Sequence, residues 1–332
     1  MHKWSIVVLI VLSFVAIAIL ISWDSGHKTF SRLENNTYEE QKYYLQGNKD
    51  TYFIYNLSVL DDVSVSRAAS NMNKIFVNNC KNLLDSTIEN EELKSSFDNN
   101  ATGITYIVHK VNNEWKSLKE YKADTYCGYE DPRLFRYKDS IWVICSFQDK
   151  DKNQSLVMFD YYKPEIEYPL RKKNRMRTEK NWSPFTVDGE LHFIYKIDPL
   201  VIVKYGEDNC ETVHESSTAV MKHKKIGSSC PPIPITYEGK QCLLCTGHNR
   251  INLYKRCIRK NFFYIMTPRP PFKVIAYSDI FSFDESSDVE FLCGMYEKND
   301  NFYCTYGVND CYNKISELSK KTVFDSIVYK VL

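Results

Sequence analysis

From Glu130 onward the chain repeats one plan: a short lead, an apolar strand, a two-residue turn, and an alternating aromatic strand. The turns fall at Lys138-Asp139, Asp188-Gly189, Glu238-Gly239 and Asn299-Asp300, in steps of 50, 50 and 61 residues. A period of this length, with several short strands in each unit, is the mark of a propeller blade; a sandwich has closer and less self-similar turns. Four units are visible in this way. Residues 51–125 supply a fifth, with strands expected over Tyr52–Val59 and Ile104–Val111. Between them, Leu83, Leu84, Ile88 and Leu93 give Asn78–Phe97 the spacing of a short amphipathic helix, read as an insertion over the β body. The expected fold is all-β: a five-bladed β-propeller over residues 51–332. An aromatic content of 14%, with 24 Tyr, suits a β-rich chain.

The first of the four leads, Glu130-Asp131-Pro132-Arg133, is the most informative. Proline fixes its own φ, lacks a donor and pushes the preceding residue toward an extended backbone, so both carboxylates are expected to precede the strand ladder and face a ligand. In isolation the same four residues also read as a surface turn capped by Asp131, with Arg133 paired to Glu130. Propellers carry ligands at the mouth of the central channel, where innermost strands begin, so the repeat predicts that all four leads converge there.

Upstream, Ile6 to Ile21 is almost wholly apolar and bracketed by Trp4 and Trp23. This reads as a single membrane span with an interfacial tryptophan at each end, giving a short tail at 1–5, an anchor at 6–23 and a polar stem at 24–50. The alternative is a cleaved signal peptide, because Ala16-Ile17-Ala18 has the small-x-small form, although it lies inside the apolar run. Sequons at Asn35, Asn56, Asn100, Asn153 and Asn181 and all 11 cysteines lie beyond the span, which suits a lumenal body in the ER or Golgi carrying some disulfides. Cys242-x-x-Cys245 lies in a strand, where residues three apart face opposite ways, so no metal site is expected. With 43 Lys+Arg against 42 Asp+Glu there is no nucleic-acid signature, and the basic run from Arg171 to Arg177 reads as a solvated loop.

The later leads are Glu179-Lys180-Asn181-Trp182-Ser183-Pro184-Phe185, then Lys224-Lys225-Ile226-Gly227 before PPIPITYEGKQCLLCTGH, and FLCGMYEKNDNFYCTYGVNDC. Over Gly128 to Cys311 the chain resembles the mannoside phosphorylases of glycoside hydrolase family 130 and their β-mannosyltransferase relatives, which are five-bladed β-propellers. The resemblance implies that Asp131 is the general acid. It further implies that Asn181 and Asp310 meet sugar hydroxyls, and that Lys196, Lys225 and His248 meet phosphate or another anion; Glu130, Arg133 and Lys180, in the same leads, are expected to bind the substrate beside them. Two departures stand out: Lys196 where an arginine is usual, and His248 after a glycine where relatives place the histidine before it.

One carboxyl group suffices if phosphate or an acceptor hydroxyl is the nucleophile. The sequence reading is thus a membrane-anchored, lumenal glycosyltransferase or glycoside phosphorylase acting on mannose or a related hexose. It needs no cofactor beyond inorganic phosphate or a sugar-phosphate donor. The alternative is a glycan-binding or structural membrane protein that keeps the propeller without turnover. Each residue also has a plainer account: Lys196 and Lys225 solvated, His248 a hydrogen-bonded core histidine, Asp310 a turn cap.

Overall fold

A computed structural model describes residues 31–33, 36–39, 44–46, 51–69, 104–120, 127–148, 153–173, 178–217, 219–221, 225–253, 256–285 and 287–331. The apolar run Ile6–Ile21, the insertion at Asn78–Phe97 and the sequons at Asn35 and Asn100 lie outside them. Among the described residues no helix is long and apolar enough to cross a membrane. Residues Arg32–Leu332 form one compact unit.

Within the expected stem lie β1 (Ser31–Arg32), β2 (Asn36–Glu39) and β3 (Tyr44–Gln46). Five antiparallel sheets follow in sequence order. Sheet 1 holds β4 (Thr51–Leu60), β5 (Val63–Ala69), β6 (Ile104–Val111) and β7 (Glu114–Lys119). Sheet 2 holds β8 (Cys127–Tyr137), β9 (Ser140–Gln148), β10 (Gln154–Asp160) and β11 (Tyr168–Leu170), and joins sheet 1 through a short parallel pairing of β6 with β8. Sheet 3 holds β12 (Ser183–Val187), β13 (Glu190–Lys196), β14 (Val201–Lys204) and β15 (Glu211–Glu215). Sheet 4 runs through β16 (Ile226–Ser228), β17 (Ile233–Tyr237), β18 (Lys240–Leu253), β19 (Arg256–Met266), β20 (Val274–Tyr277) and β21 (Phe281–Ser282). Sheet 5 holds β22 (Glu290–Lys298), β23 (Asn301–Val308) and β24 (Tyr312–Ser319), followed by α1 (Lys320–Ser326) and β25 (Tyr329–Lys330).

The four turns read from the sequence close β8–β9, β12–β13, β17–β18 and β22–β23. Both residues of each turn have positive φ, from 48° at Lys138 and Glu238 to 81° at Gly189, as the tightest hairpin connections require. Asp61-Asp62 is the corresponding turn of sheet 1. Contrary to the stem reading, β2 adds an outer strand to sheet 5 by pairing with β24, and β3 pairs with β4.

Burial places the five sheets in cyclic order, because each hydrophobic cluster is shared by two neighbours. Val65 and Ile107 of sheet 1 pack with Leu134 and Val143 of sheet 2. Ile144 and Met158 then pack with Trp182 and Phe193, Ile194 and Ile202 with Phe262 and Tyr264, and Phe263 and Ile265 with Phe302 and Tyr306. Ile315 of sheet 5 returns to Ile54 and Val108 of sheet 1. Asn313 fastens that closure, its Oδ1 accepting from Leu57 N at 2.8 Å and its Nδ2 donating to Ser66 Oγ at 3.1 Å. This is the order a five-bladed propeller requires, with apolar faces buried between blades.

Among the described residues eight cysteines are free thiols, and all of these except Cys257 are buried. Cys242 packs between sheets 4 and 5 and Cys245 between sheets 3 and 4, on opposite faces of β18 as strand parity demands.

Candidate active site

The site begins with two bulges. Along β8, Glu130 stands opposite Ser146 and Arg133 opposite Ile144, so three steps on one strand match two on the other. Asp131 takes up the extra residue with φ of 53°, unusual for a side chain other than glycine, and Pro132 has no N–H to return to the ladder. The motif is therefore inside the strand, interrupting it, instead of preceding it. The innermost strand of sheet 1 does the same: β4 slips between Tyr55 and Ser58, and Asn56 has φ of 61°. The bulges face each other, with Asn56 Nδ2 donating to Asp131 Oδ1 at 2.7 Å. A Cβ on Gly307 would fall on Asn56 Oδ1, so glycine there leaves the room that Asn56 occupies.

Around this pair the charges interlock. Arg67 donates through Nη2 to Glu130 Oε1 at 2.9 Å and through Nη1 to Asp131 Oδ1 at 3.3 Å, while Lys180 Nζ meets Glu130 Oε2 at 3.0 Å. Burial works against the charged form of Asp131, but Arg67, Lys180, Arg259 and the Asn56 hydrogen bond together hold its carboxyl below the usual range. Oδ2 has no hydrogen-bond partner among the described residues. Asp310 sits in the turn Asn309-Asp310, fixed by Asp288 N and Val289 N donating to Asn309 Oδ1 at 3.1 and 2.9 Å. Enclosure pushes the Asp310 carboxyl up; Arg67 and Arg259 oppose that push, and Asp131 and Glu130 reinforce it. No described residue hydrogen-bonds its side chain.

The leads of sheets 3 and 4 close the site. Glu179 accepts from Trp182 Nε1 at 3.0 Å and Tyr195 Oη at 3.3 Å, bracing the segment that carries Lys180 and Asn181. Gly227 lies where a Cβ would come within 2.9 Å of His248 Nε2 and 3.6 Å of Asn181 Nδ2, so its missing side chain lets these two approach. His248 bonds Ser229 Oγ through Nδ1 at 3.1 Å and packs edge-on against Phe291, 5.2 Å between centroids. Burial, with Arg259 and Arg133 nearby, pushes its pKa down to about 3, so it is neutral at physiological pH. Arg259 places its guanidinium carbon over the same ring, 5.7 Å from the Phe291 centroid.

The structure thus gathers Glu130, Asp131, Lys180, Asn181, His248 and Asp310 from four sheets, with Lys225 exposed on the rim beside Gly227. Three expectations change. Arg133 is fully buried and serves as a fastener: Nη1 donates to Ser229 O at 2.6 Å and Trp182 O at 3.3 Å, and Nη2 to Asn181 Oδ1 at 3.2 Å. It orients the leads of sheets 3 and 4 and is closed to a sugar. Lys196 is exposed at a bulge in β13, and no contact among the described residues joins it to the cluster. Asn56 is not a glycan acceptor in the folded chain, since it is 1% exposed and the nitrogen a glycan would occupy is bonded to Asp131. Asn181 likewise faces Arg133, whereas Asn153 is half-buried at the start of β10. Sequence reasoning missed Asn56, Arg67 and Arg259 as site residues. For Asn56 and Arg67 the available signal was a large polar side chain inside a strand-like run, in YFIYNLSVL and VSVSRAA, which the sequon at Asn56 masked; Arg259 carried no such signal.

No protein-family model matches the sequence. A 147-residue match at 27% identity links it to Beta-mannosyltransferase 1 of Komagataella phaffii, covering 38% of this chain and 22% of that protein, so the chain spans less than a quarter of this relative. In three dimensions it is similar to β-1,2-mannobiose phosphorylase from Listeria innocua, with a TM-score of 0.57 and 14% identity over 88% of this chain and 99% of that one. A second solved structure is described as a glycoside hydrolase of the GH130 family of mannoside phosphorylases that targets β-1,2 mannosidic linkages in Candida mannan. It has a TM-score of 0.52 and 13% identity over 89% and 95% of the two chains. The described chain has the all-β, GH130-like fold. The resemblance to mannoside phosphorylases and β-mannosyltransferases read from its motifs is found in both kinds of comparison.

Proposed function

We propose that this chain is a mannose-active glycan enzyme that exchanges a hexosyl group between a phosphoryl oxygen and a sugar hydroxyl, with Asp131 moving the proton. The observation that carries this reading is a buried carboxylate held ionised by Arg67 and Asn56 on one oxygen, with the other oxygen left open. An ionised Asp131 is ready as a base. In the synthetic direction it takes the proton of the acceptor hydroxyl as the acceptor oxygen bonds to C1, and the C1–O(phosphoryl) electron pair leaves with the phosphoryl group. The proton then passes to the released phosphate. Phosphorolysis is the reverse, with the acid form of Asp131 protonating the bridging oxygen. The names of the similar proteins support mannose as the sugar. The apolar run Ile6–Ile21 and the sequons beyond it make a lumenal, membrane-anchored setting part of the same proposal. Protease protection of the body in sealed microsomes tests that setting.

The reaction is tested by incubating the protein with mannose 1-phosphate and mannose or short mannosides, and following both phosphate release and chain extension. Asp131→Asn should lower turnover by about a hundred- to ten-thousand-fold with folding intact. Full activity in Asp131→Asn removes Asp131 from this role. Absence of turnover with any phosphorylated donor, combined with binding of mannosides, favours the glycan-binding alternative.

A further inference from the structure

The positive charge gathered at the site exceeds its negative charge. Arg67, Arg133, Lys180 and Arg259 face Glu130 and Asp131, while the Asp310 carboxyl is pushed toward its neutral form. Three of the four cations are committed: Arg67 to two carboxylates, Arg133 to three oxygens, Lys180 to Glu130. Arg259 differs. Its backbone is fixed, with N donating to Asp288 O at 2.9 Å, but no described side chain or carbonyl accepts from its guanidinium. Phe291 gives that group a face to lie on, and an aromatic face accepts none of the five N–H donors in the usual way. A half-buried guanidinium without an anion is costly, and stacking returns only about 0.5–1 kcal/mol at exposed sites and about 2 when desolvated.

We propose that Arg259 is the phosphoryl-binding and specificity-determining residue of this site, taking a phosphate, sugar-phosphate or diphosphate group against Phe291 beside His248. The inference rests on the reaction proposed above and names the contact that selects its donor. Lys196, the position where the family resemblance leads one to expect an anion contact, does not join the cluster. Neutral His248 contributes a hydrogen-bonding nitrogen instead of a charge, which leaves Arg259 to supply the planar fork that matches a phosphoryl group. Lys225, exposed beside Gly227, adds a second positive charge.

The test is titration calorimetry on the full chain with inorganic phosphate, mannose 1-phosphate, GDP-mannose and uncharged methyl α-mannoside. The wild type should bind at least one phosphoryl ligand, and which of the three binds identifies the source of the group. Arg259→Gln should weaken that ligand by about 10- to 100-fold, as expected for a charge-assisted hydrogen bond, and leave methyl mannoside within about twofold. Arg259→Lys should recover part of the loss, because it restores charge without the fork. Asp131→Asn should lower turnover by about a hundred- to ten-thousand-fold yet keep phosphoryl binding, so an error in the base assignment is distinguishable from an error here. The proposal is overturned if the wild type binds none of the three phosphoryl ligands. Unchanged affinity in Arg259→Gln overturns it equally, as does an equal loss for charged and uncharged ligands.

Discussion

Two buried clusters in this protein pair acids with bases, and they behave in opposite ways. Lys260 and Glu290 lie 3% and 0% exposed between sheets 4 and 5. Lys260 Nζ donates to Ser282 Oγ, Ser287 O and Ser287 Oγ at 2.7 to 3.0 Å, and Glu290 accepts from Ser282 and Ser287 hydroxyls, Asn261 Nδ2 and the Phe283 and Asp284 N–H groups at 2.7 to 3.0 Å. Lys260 and Glu290 are fully partnered, and they fix Ser282, Phe283, Asp284 and Ser287. At the other cluster, Asp131 Oδ2, the Asp310 carboxyl and the Arg259 guanidinium lack hydrogen-bond partners among the described residues, while strained backbone at Asn56 and Asp131 is retained. A saturated polar cluster stabilises; one that keeps open atoms and backbone strain is arranged for a ligand.

The sharpest way to break that contrast is Lys260→Met. It leaves the Glu290 carboxylate without its buried cation, and should cost about 3–5 kcal/mol in urea unfolding. Loss of less than about 1 kcal/mol would show that the cluster is not the fastener described. Asp131→Asn should show the converse: no more than about 1–2 kcal/mol of stability lost, with the large effect on turnover alone.

Gly307→Ala comes next. Its Cβ drives Asn56 off Asp131, so about 1–3 kcal/mol of stability should be lost through overpacking. The acidic limb of the pH–rate profile should also move upward, because the hydrogen bond that helps hold Asp131 ionised is gone. An unmoved limb would mean that the cations Arg67, Lys180 and Arg259 hold Asp131 ionised without help from Asn56.

The smallest effect concerns Asp310. Its folded pKa is raised, so the unfolded chain loses this proton first as pH rises, and ionisation opposes folding from the ordinary carboxyl pKa upward. Asp310→Asn should therefore raise Tm by about 1–2 °C at neutral pH, with the gain absent below the unfolded carboxyl pKa, and should weaken mannoside binding. Asp131 and His248, with folded pKa values depressed, have the opposite sign: the stability they contribute is lost on acidification. For His248 the loss begins below its unfolded value of 6.5 and is complete near 3; for Asp131 it begins below 3.8.

The fold was legible because its signal is local and repeated. Each hairpin turn is two residues that adopt positive φ, and three of the four carry Gly or Asn, so their spacing announces the sheets without any knowledge of contacts. Sheet 1 was harder, since Asp61-Asp62 carries neither residue and residues 70–103 separate β5 from β6. Asp131 was legible too, because proline beside two acids marks an interruption in a strand whatever surrounds it.

What the sequence could not determine is which side chains meet. Arg133, one residue beyond the proline, was expected to face a sugar, yet the extra residue in β8 sends it into the interior to hold the backbones of two other sheets. Asn56 carried a sequon and reads as an exposed acceptor, yet a matching bulge in β4 aims it at Asp131, 75 residues away. Arg259 sits in an alternating strand with nothing local to distinguish it from Arg256, and only Phe291 and His248, brought from β22 and β18, make it a ligand contact. Turns and strand patterns depend on neighbours in the chain, so the sequence settled them; the charge state of Asp131 and the free donors of Arg259 depend on fields and partners assembled by ring closure, and only the tertiary structure decided those.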